Sequence, residues 1–234
     1  MPRSLVVVLF DLDQTLLRTG GAGVLAMNRA FQEMFGVADA LADIPYAGRT
    51  DPSILRDALR RHGIDGDFQQ ILAAFKERYV WHLERTLWET EGQVLPGVPQ
   101  LLAALRQRPD VALGLATGNF REGARLKLRR YGLDEHFRHG AYGDDAEDRA
   151  ELVALAARRA AQGQEPGRVL VVGDTPLDVA AALACRFTPV GVATGYYSTD
   201  DLRRAGAAVV FPDLSDWQGA LSLLLAEAGP VPPR

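Results

Sequence analysis

The chain has 234 residues, 47% hydrophobic and 24% charged, the balance of a folded chain with a substantial core. A formal net charge of -4 leaves no polybasic footprint, so nucleic acid and anionic membranes are not expected partners. The single cysteine, Cys185, excludes an internal disulfide, and without a signal-like or membrane-length apolar stretch the expected setting is the cytoplasm.

The first element is an unbroken apolar run, Leu5 to Phe10, whose length and valine content predict a strand buried on both faces. It stops abruptly at Asp11-Leu12-Asp13-Gln14-Thr15. Glycines at 20, 21 and 23 mark a turn, and Val24, Met27, Ala30, Phe31, Met34 and Phe35 then recur at helical spacing up to Gly36. The loop from Ile44 to Pro52 offers Thr50 or Asp51 as an N-cap, with Pro52 in the first turn of a helix carried by Ile54, Leu55, Ala58 and Leu59. A longer helix follows from Phe68 to Leu87. Residues 18–92 therefore read as all-helical, a candidate domain inserted into a core made of 1–17 and 93–234.

Beyond the turn at Val94 to Val98 the regime changes. Helical spacing at Val98, Leu101, Leu102 and Leu105 precedes a strand at Val111 to Ala116. A helix through Leu126 and Leu128 ends near Gly132, before a short strand around Gly140 to Tyr142. Then come a helix at Leu152 to Ala156, a buried strand at Val169 to Val172, a helix over 176–185 and a strand at Thr188 to Val192. A strand at Ala208 to Phe211 and a helix at Trp217 to Leu225 close the order, and Gly229 to Arg234 reads as a frayed tail. This alternation predicts right-handed crossovers and an α/β, Rossmann-like, doubly wound parallel sheet.

Four strand ends carry polar punctuation. Asp11 and Asp13 leave the first strand together and repel each other unless a cation or proton intervenes, although an Asp ending a strand also makes an ordinary Asx turn. Thr117-Gly118-Asn119 supplies a hydroxyl and backbone N–H groups ahead of a helix, which suit an anion or a plain N-cap. Asp174 leaves its strand as Asp11 does, with Asp178 one turn into the next helix, where an acid is also a common cap. The run Asp144-Asp145-Ala146-Glu147-Asp148-Arg149 is either a solvated acidic turn or a loop that sends Arg149 into the crevice. Ligands of open parallel sheets bind in the crevice outside the carboxyl ends of the strands, so the four together read as a site for a divalent cation and an anionic substrate. Carboxylates without nearby His or Cys select magnesium over zinc. His62, His82, His136 and His139 lack metal spacing and read as surface residues.

In this order (Asp11-Leu12-Asp13-Gln14-Thr15, Thr117, Arg149, Gly173-Asp174-Thr175-Pro176-Leu177-Asp178) the motifs resemble those of the haloacid dehalogenase-like hydrolases, in particular the phosphoglycolate phosphatase-like branch. The resemblance spans essentially the whole chain and puts residues 18–92 where that family carries its cap domain. It implies a magnesium-dependent phosphatase of small phosphorylated metabolites. Asp11 would be the nucleophile, forming an aspartyl-phosphate, and Asp13 the general acid and then base. Mg2+ would be held by the Asp11 carboxylate, the Asp13 carbonyl and Asp174, with Asp178 in support. Thr117, the Gly118 and Asn119 amides and Arg149 would hold the phosphoryl group.

One residue departs from the family, which usually has a lysine where Arg149 stands. The chain has only two lysines, Lys76 and Lys127, so the arginine fits its own usage and keeps the charge. Lys127, the rival for that role, is expected to extend to solvent. Arg49, in the polar loop Gly48 to Asp51, is read as binding a substrate anion such as a carboxylate; an exposed arginine at a helix start is the alternative. Asp13 argues against a dehalogenase, since halide leaves unprotonated. A lone, surface-type Lys76 argues against a Schiff-base phosphonatase. A phosphosugar mutase of the same family and a non-catalytic, aspartate-phosphorylated signalling module remain open, as do monomer and homodimer.

Overall fold

The computed structural model describes residues 4–226, so the tail expected at Gly229 to Arg234 lies outside the described residues. The central strand, β1 (Val6–Phe10), is hydrogen-bonded on one side to β4 (Val111–Ala116) and on the other to β6 (Arg168–Gly173). Outside β4 lies β5 (Gly140–Ala141); outside β6 lie β7 (Thr188–Val192) and β8 (Val209–Phe211), giving the order β5-β4-β1-β6-β7-β8. Every pairing in this sheet is parallel.

The alternation of β1 explains why the sheet is covered twice. Val8 and Phe10 enter a core with Leu101 and Leu105 of α4 (Val98–Arg106), Leu128 of α5 (Arg121–Arg130) and Leu224 of α9 (Trp217–Leu225). Val7 and Leu9 point the other way, onto Leu152, Val153 and Ala156 of α6 (Arg149–Ala161) and Ala181 and Ala182 of α7 (Pro176–Ala184). Side chains on both faces of one strand are removed from water, which is why the sequence shows an unbroken apolar run rather than alternation.

Between residues 18 and 93 run three helices: α1 (Ala22–Phe35), closed by a left-handed Gly36, α2 (Asp51–Arg61) and α3 (Phe68–Glu89). Met27, Phe31, Leu55, Phe75, Tyr79 and Leu83 share a second core, which also takes in Phe120. Where the chain enters and leaves this segment, β2 (Leu17–Arg18) pairs antiparallel with β3 (Gln93–Val94). That two-residue ribbon was not expected: too short for periodicity, it is set by the meeting of two distant segments. The short α8 (Thr199–Arg204), held by a Ser198–Asp201 capping box, was likewise missed for want of an apolar stripe.

Leu101 is fully buried between α4 and the sheet, so Leu101→Ala should cost about 2–5 kcal/mol of stability, read as a fall in the thermal midpoint. An unchanged midpoint would mean that α4 does not carry this core.

Candidate active site

The strand order places the carboxyl ends of β4, β1 and β6 side by side, and with them Thr117, Asp11 and Asp174. Beyond Asp11 the chain turns sharply, with Gln14 at a positive φ of 62° and its amide donating to the Leu17 carbonyl at 2.8 Å. A left-handed, non-glycine residue beside a candidate site is strain the surroundings must hold. Here Thr194 Oγ1 donates to the Gln14 carbonyl, and Arg18 Nε donates to Gln14 Oε1 at 2.9 Å.

The two acids of this loop part company. Asp11 belongs to a buried cluster with Asp174 and Asp178, whose carboxylate oxygens lie within 4.8 Å of one another. Arg149, the first residue of α6, reaches the cluster: its Nη2 stands 3.0 Å from Asp11 Oδ1 and 2.5 Å from Asp178 Oδ1. Of the two readings its sequence allowed, the preceding acidic run is the loop that sends Arg149 into the crevice, and its first two acids are ion-paired. Asp144 and Asp145 are bound by Lys76, Arg121 and Arg159, while Asp148 caps α6 and aims Arg149 into the crevice. Asp178 also plays two parts, closing a capping box with Thr175 while presenting its other oxygen to Arg149.

One arginine against three buried carboxyls leaves an excess of negative charge. Burial, then Asp178 and Asp11, push the Asp174 carboxyl up to about 9, and burial pushes Asp11 up to about 6 despite Arg149. Oxygen donors only, converging from three elements, suit a hard divalent cation such as magnesium. Thr15 is fully buried here, its hydroxyl 3.5 Å from Asp174 Oδ1.

Asp13 turns to the other side. Its Oδ2 accepts from Lys127 Nζ at 2.6 Å and from Asn119 Nδ2 at 2.8 Å, and Lys127 also donates to Asn119 Oδ1. Asn119 Nδ2 donates as well to Thr117 Oγ1 at 2.9 Å. The expectation that Lys127 extends to solvent is therefore wrong: it is only 4% exposed. Gly123, Ala124, Lys127 and Leu128 form the buried stripe of α5, so the lysine stands in an apolar stripe, and that was its readable signal. The histidines also depart from a surface reading: His62 packs on Phe31 and His82 on Glu33, half-buried and away from the site.

A cavity of ≈ 170 Å³ lies between the sheet end and the helical segment, lined by Asp11, Asp13, Thr117, Gly118, Asn119, Arg149 and Asp174 on one side. On the other stand Val24, Met27, Ile54, Tyr79 and Arg49. Arg49 is not a free cation, because Asp57 pairs with its Nη2 at 2.8 Å and the carbonyls of Pro45 and Ser53 accept from it. Gly118 is seated under the loop before α2: a Cβ there would lie 2.1 Å from the Arg49 carbonyl oxygen. The seat is fastened by Asp51, also unforeseen in this role. Its amide donates to the Gly118 carbonyl at 2.8 Å, and its Oδ2 accepts from the Phe120 amide at 2.7 Å. Burial pushes its carboxyl up to about 7, against the pull of Lys127.

Comparison with known proteins gives the same reading. Residues 5–186 match the model of the haloacid dehalogenase-like hydrolases. The chain is 31% identical to a phosphoglycolate phosphatase of Rhodospirillum rubrum, over 94% of this chain and 92% of that one. It is 30% identical to a phosphoglycolate phosphatase of Synechococcus elongatus, over 94% and 99%. A hydrolase structure from Pseudomonas syringae superposes with a TM-score of 0.70 at 27% identity, covering 94% of this chain and 99% of that one. No helix among the described residues is long and apolar enough to cross a membrane.

The raised acids give a pH signature. Asp11 and Asp174 bind protons more tightly folded than unfolded, so without metal the stability they confer is full below about 4 and lost as pH rises towards about 9. A divalent cation replaces those protons. Magnesium should therefore raise the thermal midpoint more at pH 8 than at pH 5; an equal gain at both would remove the three acids as its site.

Proposed function

The chain belongs to the haloacid dehalogenase-like hydrolases and is a phosphatase, and on that footing we propose that it is a magnesium-dependent phosphomonoesterase of a small phosphorylated metabolite, working through an aspartyl-phosphate on Asp11. The observation that carries the reading is the division of labour at the end of β1, with Asp11 among the acids and Asp13 on Lys127.

In this reading Asp11, Asp174 and Asp178, with the Asp13 carbonyl, hold Mg2+. When bound, the ion offsets the charge of the phosphoryl oxygens and of the carboxylates facing them. Arg149 and Thr117, with the Gly118 and Asn119 amides, hold the phosphoryl group. An Asp11 oxygen attacks phosphorus while Asp13 delivers a proton to the departing alcohol oxygen; Asp13 then takes a proton from the water that hydrolyses the acyl-phosphate. Lys127 and Asn119 fix the direction of Asp13, turned from the metal acids towards the cavity. Residues 18–92 act as the cap that closes over the reacting groups, and the cavity size suits a metabolite rather than a polymer. Return of the phosphoryl group to a second hydroxyl would use the same core residues; the phosphatase relatives favour hydrolysis.

Para-nitrophenyl phosphate should be hydrolysed with magnesium and not with EDTA, and Asp11→Asn should lower kcat by roughly 10³-fold or more. Undiminished turnover by that variant would remove the nucleophile and the reading with it. Lys127→Met and Asp13→Asn should each cost far more on an alkyl phosphate, whose leaving oxygen needs a proton, than on para-nitrophenyl phosphate. Equal losses on the two esters would deny Asp13 the role of acid and Lys127 that of its positioning partner.

A further inference from the structure

A second cavity, of ≈ 330 Å³, opens beside the edge strand β5 and shares no lining residue with the first. Five arginines line it: Arg121, Arg125 and Arg129 from α5, Arg138 from the segment before β5, and Arg159 from α6. Leu128, Phe137 and Tyr142, all buried, supply its apolar part. Residues four apart on a helix stack on one face, so the three α5 arginines form a row about 12 Å long. Like charges in that arrangement repel and weaken the helix unless negative charge joins them.

Little negative charge is at hand. Asp145 is shared between Arg121 and Arg159, at 3.0 and 2.7 Å, and Asp134 is the one acid in the lining among the described residues. Glu122 and Glu135, next to lining residues in the chain, are turned to Lys76 and Arg106. Arg125, Arg129 and Arg138, all exposed, have no ion-pair partner among the described residues. With Asp134 and Asp145 both counted in full, three of the five guanidinium charges remain uncompensated. A concave site of one sign focuses its field on small counter-ions. We propose that this cleft binds a small anion carrying a chain of phosphate groups, at a site separate from the catalytic one. Guanidinium forks hold phosphate oxygens bidentately, and a row of them matches successive phosphates better than it matches a single charge. The volume is that of a small-molecule pocket, which favours such a ligand over an acidic protein segment.

The test is isothermal titration of the full chain, in EDTA and at fixed ionic strength, with inorganic tripolyphosphate, ATP, orthophosphate and hexaglutamate. Tripolyphosphate should bind at least roughly tenfold more tightly than orthophosphate, and its affinity should fall as salt rises. ATP and tripolyphosphate separate the two sources of a phosphate chain: both should bind, and the tighter of them names the source. The double variant Arg125→Ala, Arg129→Ala replaces exposed side chains with the best helix former, so the fold is kept. It should weaken tripolyphosphate binding at least roughly tenfold while para-nitrophenyl phosphate turnover stays at the wild-type level. Binding of tripolyphosphate no tighter than that of orthophosphate would overturn the inference. So would unchanged affinity in the double variant, which would put the anion elsewhere, or hexaglutamate binding as tightly as tripolyphosphate, which would make the cleft a protein-docking surface. Binding is read without metal, so a failure of the phosphatase reading leaves these outcomes intact.

Discussion

Everything at this site follows from packing three carboxyl groups together at the end of a buried parallel sheet. Asp11, Asp174 and Asp178 are held where water is scarce, and among the described residues Arg149 is the one cation paired with them. Such a cluster costs folding energy unless positive charge joins it. The fold supplies the rigidity that keeps it assembled. Asp11 and Asp174 are fixed by adjacent strands, and Asp178 by the capping box at the start of α7. The neighbours that anchor Asp178 as a helix cap are the same ones that keep it from relaxing away from the other acids.

Asp13 stands apart from that cluster, just before the turn that holds Gln14 left-handed. On its new side it meets Lys127, whose ammonium reaches it from the buried stripe of α5. The start of α1 leaves just enough space, since a Cβ on Gly23 would come within 3.3 Å of Lys127 Nζ. In this slot a compact ammonium donates to both Asp13 and Asn119. In a chain with only two lysines, this geometry gives a physical reason for lysine at position 127.

The sheet and the strand ends were legible because they obey short-range rules: apolar runs of strand length, broken by acids, alternating with amphipathic helices. Asp11, Thr117, Arg149 and Asp174 were found at the ends of elements for that reason, and all four reach one crevice. What escaped was decided across long sequence distances. Lys127 meets Asp13, 114 residues away, and Asp51 meets Phe120, 69 residues away. Arg49 shows the converse. Its polar loop was recognisable, but the acid that holds it, Asp57, sits in the α2 helix that follows, is shared with Arg60, and left no mark distinguishing it from a surface acid.

The seam between the helical segment and the sheet end joins these features. Asp51 and Lys76 reach from the helices onto residues 118–122 and Asp144, while Arg56 holds Glu147, two residues before Arg149. The loops that carry Gly118, Asn119 and Arg149 are therefore the loops on which the helical segment is seated. Movement of α2 away from the sheet would withdraw Asp51 from Phe120, expose Gly118 and loosen the loop that leads into Arg149. Any closure of the helical segment over a ligand would therefore also order these loops, because the same hydrogen bonds serve both.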